Sequence, residues 1–190
     1  MLSKTQRGTS LIEILVAVFV VSIGLLGVAR MEVLSKQSGY EALQRTTASM
    51  LAHEIMEKMR ANPTALVNYS NLTVGDGSIA TPGTDCTAVN CTTPVEIAAF
   101  DIWQWEQVLM GATETLAGNN TGGLVEPRGC ITGPAGGPGA YTIAIAWRGN
   151  TPLPNPATTN CGEGANLYGA NEEYRRVLLI NFFVSDDGLT

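Results

Sequence analysis

The sequence predicts an α+β fold: a long N-terminal helix, its first half transmembrane, packed on an antiparallel sheet with long disulfide-braced loops. Three observations predict it. From Leu11 to Ala29 the only charged residue is Glu13, and Arg30 to Arg60 continues in good helix formers. Two late segments, YTIAIAWR (Tyr141–Arg148) and YRRVLLINFFV (Tyr174–Val184), read as strands. Four cysteines, Cys86, Cys91, Cys130 and Cys161, all follow the apolar segment, in Gly- and Pro-rich sequence.

The apolar run of about 19 residues spans about 28 Å as a helix, enough to cross a bilayer core. Lys4 and Arg7 precede it and set the short leader on the cytoplasmic side. A secretory signal peptide would be cut after its apolar region, beside small residues. Here the run passes without a turn signal into more helix, which predicts that it is retained. Ala48, Leu51, Ala52, Ile55 and Met59 then form an apolar stripe at helical spacing, with Gln44, Arg45, Glu54, Glu57, Lys58 and Arg60 polar. Asn62-Pro63 stops the helix. Gly24, Gly27 and Gly39 are candidate weak points or, for the first two, sites of close helix packing.

Glu13 is the most informative residue. A carboxylate inside an apolar span costs about 2.5–3.5 kcal/mol on insertion scales and needs a partner. No cation lies between it and Arg30. A cut after Gly8 would place a new ammonium on Thr9, one helical turn from Glu13 and free to meet the Glu13 of a neighbouring subunit.

Thr64 to Thr93 reads as a polar surface loop with at most short strands, turning at Gly75-Asp76-Gly77 and Pro82-Gly83. Val95 to Leu116 regains helical character, with Ala98, Ile102, Trp105 and Leu109 on one face. Trp105 covers the core over the long helix; Trp103 lies off that face, where it could contact a partner. Gly118–Gly139 and Thr151–Gly169 read as loops. The Tyr174–Val184 run is predicted central or near-central in the sheet, antiparallel to Tyr141–Arg148. The cysteines point to two disulfides. The simplest pairing is Cys86–Cys91 and Cys130–Cys161, the second bracing the loops that flank the first strand, although three pairings are open.

Catalysis is disfavoured. Chemistry at His53-Glu54 fails the HExxH pattern because position 57 is Glu57. The cysteine spacing is not that of a zinc site. No nucleophile–base pair or phosphate loop is present, so no catalytic residue, metal or cofactor is expected. The formal net charge of −6 disfavours nucleic acid as a partner.

The stretch Arg7-Gly8-Thr9-Ser10-Leu11-Ile12-Glu13 resembles the type IV prepilin cleavage and methylation motif, with Thr9 where Phe is usual. The resemblance implies that a membrane peptidase cuts between Gly8 and Thr9 and methylates Thr9, leaving Glu13 as the fifth mature residue. It divides the chain into a leader at 1–8, a transmembrane and filament-core helix at 9–30, an amphipathic continuation at 31–62 and a globular periplasmic head at 63–190. SIGLLGVA, EIMEKMRANP, FDIWQWEQVL and YTIAIAWRG together resemble the PilV group of minor pilins, the type IV pilus modification proteins. That resemblance implies the pilin fold and a subunit that primes pilus assembly or joins a tip complex. Its implied partners are other minor pilins, the major pilin, the prepilin peptidase/methyltransferase, the inner-membrane assembly platform and a tip adhesin. The implied location is the inner membrane as a single-pass protein with a periplasmic head, then the pilus at the cell surface. Two other readings share the N-terminus: a type II secretion minor pseudopilin, whose head would be smaller, and a pilin whose head binds an external ligand.

Overall fold

The computed structural model describes residues 10–185. Helix α1 runs from Leu11 to Ala61, unbroken through Gly24, Gly27 and Gly39. The chain divides into two units between Tyr40 and Glu41. In the first, every described residue of α1 is exposed. In the second, Ala48, Leu51, Ala52, Ile55 and Met59 are all buried, with Met56 beside them. Gln44, one of the polar residues set beside the apolar stripe, is also buried. Its side-chain oxygen accepts from the Val125 N–H at 3.2 Å, which satisfies the amide where water cannot.

A 3-10 turn at Pro63–Ala65 and a one-turn helix α2, Leu66–Tyr69, follow the stop at Asn62. The expected surface loop is therefore partly core: Leu66, Tyr69 and Val74 are buried. Four-residue helices carry too little periodicity to stand out in sequence. Strand β1, Leu72–Val74, precedes the Gly75–Gly77 turn, where both glycines adopt positive φ.

Helix α3, Pro94–Leu109, starts at a capping box. Thr93 Oγ1 accepts from Glu96 N, and Glu96 returns a bond to Thr93 N. The helix stops at Leu109, seven residues short of the expected Leu116. Gly111 turns left-handed at φ +68°, and the returning chain crosses so closely that a Cβ on Gly123 would lie 2.3 Å from the Gly111 nitrogen. Thr115–Leu116 and Asn119–Asn120 instead form a small hairpin, β2–β3.

Strands β4 (Arg128–Thr132), β5 (Gly139–Arg148) and β6 (Arg175–Val184) complete a four-stranded antiparallel sheet of order β1-β4-β5-β6. The interior strands are β4 and β5; β6, expected central or near-central, is at an edge. Its core-side residues Leu178 and Ile180 are only half-buried, whereas Ile143 and Ile145 on β5 are fully buried. The composition of β6 was that of a strand with two neighbours, and composition does not count neighbours. One sheet face packs on α1 and α3 through Ile143, Ile145 and Trp147. The other is covered at Ala144 and Ala146 by the β5–β6 loop, where Cys161 Sγ sits 3.5 Å from the Ala144 carbonyl oxygen. The architecture is α+β and pilin-like.

The described disulfides are Cys86–Cys91 and Cys130–Cys161. The second does not join two loops, as supposed: Cys130 is inside β4, so the bond ties the β5–β6 loop to the sheet.

Candidate functional site

The sites singled out in the sequence lie at the start of α1. Gly8 and Thr9, with Lys4 and Arg7, fall outside the described residues. Glu13 sits in the first turn of the helix, its N–H donating to the Ser10 carbonyl at 3.0 Å. A carboxylate there is favoured by the partial positive charge of the helix N-terminus. Its side chain is exposed, and the next charged residue along the helix is Arg30, about 25 Å away along the axis.

Around Glu13 the helix surface is apolar on every side. Leu11, Ile12, Ile14 and Leu15 are exposed, and the most apolar 18-residue window has a mean hydropathy of 2.7 with none of it buried. The polar side chain of Ser22 is turned inward, its hydroxyl donating to the Val18 carbonyl at 2.7 Å; this satisfies it without water. Among the described residues a Cβ on Gly24 or Gly27 would meet nothing within 4 Å, so these positions leave flat patches on the exposed helix. The polar boundary follows at Arg30 and the Glu32–Lys36 ion pair. By length and composition this segment can cross a bilayer, and among the described residues no ion pair engages its one acid.

The head holds polar clusters that sequence reading missed, and each is satisfied internally. Glu106 is fully buried. Its carboxylate accepts from the N–H groups of Gly75 and Gly77 on one oxygen and Ile79 on the other, at 2.9–3.1 Å. It thus organises the turn after β1. Tyr69 donates to Asp101 at 2.6 Å, and Lys58 lies 2.6 Å from Gln104 Oε1 and 3.7 Å from Asp101. Burial, then the bond to Asp101, pushes the Tyr69 hydroxyl far above its ordinary range. Arg175, 1% exposed, donates to the Asn155 side chain and to the carbonyls of Pro156, Thr159 and Cys161. A buried guanidinium holding four oxygens is what shapes the β5–β6 loop. The one available signal was Arg175-Arg176 opening an otherwise uncharged strand.

His53 is exposed, with Nδ1 2.7 Å from the Ser49 carbonyl oxygen. Trp105 is buried; Trp103 is half-buried against Phe100, ring centroids 5.7 Å apart. A shallow groove of about 540 Å³ runs beside Cys130–Cys161. The Arg128 guanidinium on its wall is already held by the carbonyls of Gly75 and Pro127. Among the described residues no group of three or more His, Cys, Asp or Glu could hold a metal ion.

Residues 3–29 match the family model for the prokaryotic N-terminal methylation motif, which spans Gly8, Thr9 and Glu13. Residues 31–103 match the model described as Type IV pilin Tt1218, a structural rather than enzymatic family. No curated protein and no solved structure matches the chain. An exposed apolar helix with one acid in its first turn, under a methylation motif and followed by a Tt1218-like region, supports a membrane-anchored type IV pilin.

Proposed function

We propose that the chain is a minor pilin of the PilV type, cut between Gly8 and Thr9, methylated at Thr9 and assembled into a type IV pilus, where it primes assembly or joins the tip complex. The observation that carries this reading is Glu13: a lone carboxylate in the first turn of a helix apolar on all sides. Before cleavage the apolar segment holds the precursor in the inner membrane, with the head in the periplasm. Cleavage by the prepilin peptidase removes Lys4 and Arg7 and exposes an ammonium on Thr9. In a low-dielectric helix bundle the Glu13 of one subunit then attracts the Thr9 ammonium of the next. The attraction sets register; the apolar surface of α1 supplies most of the packing, and head surfaces select the neighbours among other minor pilins, the major pilin and a tip adhesin.

Mass spectrometry of the mature N-terminus, with and without the prepilin peptidase, tests this. A chain starting at methylated Thr9 only when the peptidase is present is the expected result. A working filament subunit that keeps its leader would overturn the reading.

A further inference from the structure

The two edges of the four-stranded sheet are unlike. The β1 edge is three residues long and ends at the turn that closes on Glu106. Short edge strands are one way proteins block unwanted pairing. The β6 edge is ten residues long, and from Val177 to Val184 it carries no charge, proline or glycine.

The outward groups of β6 follow from its register. The Tyr174 carbonyl accepts from Gly149 N at 2.8 Å, in step with the β5–β6 pairing. By the alternation of an antiparallel ladder, Arg176, Leu178, Ile180, Phe182 and Val184 also direct their main-chain groups to β5. Val177, Leu179, Asn181 and Phe183 direct theirs away. The chain covers the beginning of this edge itself, since Leu153 N donates to the Glu173 carbonyl at 2.7 Å. Beyond that point, among the described residues, no strand pairs with β6 on this side. The side chains tell the same story. Leu178 and Ile180 pack on the core yet stay half-buried, and Phe183 is 55% exposed.

We propose that a different polypeptide donates a strand to the Val177–Phe183 edge: an extended segment, uncharged across about seven residues, with apolar side chains beside Leu178 and Ile180. Four outward N–H and C=O pairs repeating about every 7 Å match an extended backbone and not a helix or a lipid. A second copy fits less well. The antiparallel self-pairing that uses all four positions sets Asn181 against Leu179 twice. That the donor is a neighbouring subunit rests on the pilin reading; the pairing itself does not.

The test uses the full chain in the membranes of the cells that make it, with Phe183→p-benzoylphenylalanine as a photo-cross-linker and exposed Asn120 substituted likewise as the control. Cross-linked peptides sequenced from position 183 should fall in one extended, uncharged segment of another polypeptide and be absent from position 120. Leu179→Pro removes an outward N–H and no bond to β5, so it should cut the adduct at least tenfold while both disulfides form. If Leu179→Pro does not fold, Asn181→Lys, at an exposed edge position, should give the same loss. No adduct, an adduct mapping to β6 of a second copy, or an unchanged yield in the folded edge variant each overturns the proposal. The N-terminal mass from the same membranes separates the two readings: an uncut chain with an intact adduct defeats the pilin function alone, and a cut chain without the adduct defeats the strand pairing alone.

Discussion

The indole N–H of Trp105 donates to the main-chain carbonyl of Leu51, in the C-terminal part of α1, at 3.1 Å. Both residues are in the core, so α3 is fastened to α1 by a bond that water cannot replace. A carbonyl has two lone pairs, so Leu51 can accept it and keep its helical bond. Trp105→Phe should cost about 1–2 kcal/mol, from the lost bond and some lost area. Trp105→Ala should cost about 3–5 kcal/mol. Urea midpoints of the detergent-solubilised chain check both; equal stability of Trp105→Phe and the parent would show that the bond contributes nothing.

The two disulfides should differ in weight. Cys130 and Cys161 are 31 residues apart in sequence and Cys86 and Cys91 only 5. On loop-closure entropy alone the first stabilises by about 3.7 kcal/mol and the second by about 2 kcal/mol. Cys130→Ser with Cys161→Ser should therefore lower the melting temperature more than Cys86→Ser with Cys91→Ser. It should also release the β5–β6 loop to proteolysis, since that bond holds the loop on β4.

Alkaline pH should unfold the head through two tyrosines. Burial holds the hydroxyls of both Tyr69 and Tyr168 well above the ordinary tyrosine range, and the bond to Asp101 adds to the effect at Tyr69. Each keeps its proton more tightly folded than unfolded. The stability they confer is complete below about pH 10, the unfolded value, and is lost as pH rises beyond it. Stability measured at pH 8 and pH 11 should fall steeply in the parent and less steeply in Tyr69→Phe and Tyr168→Phe. Absorbance near 295 nm should show Tyr69 and Tyr168 ionising only as the chain unfolds.

Glu13→Ala should leave membrane insertion intact, because it removes an insertion cost of about 2.5–3.5 kcal/mol. It should instead reduce recovery of the chain in sheared pili. Full recovery would contradict pairing of Glu13 with a neighbour's N-terminus.

Much of this architecture was legible before any coordinates. Ala48, Leu51, Ala52, Ile55 and Met59 were readable as a buried stripe because a helix repeats every 3.6 residues and the stripe repeats with it. The Thr93-Pro94-Val95-Glu96 start of α3 could have been read as a cap, since the capping box is a local pattern. The end of α3 could not, because it depends on Gly123 crossing Gly111 from elsewhere in the chain. Glu106, too, looks like any helical glutamate until the turn at Gly75–Ile79 wraps it.

What the sequence alone determined is therefore local or periodic: the apolar helix with its single acid, its amphipathic continuation, the α+β class and the two long strands. Only the tertiary structure decided that β6 is an edge, that Tyr69 and Glu106 are core, and that Arg175 holds a loop. Those outcomes rest on which distant segments meet, and a residue's burial and hydrogen-bond partners are set by neighbours that its own stretch of sequence does not name.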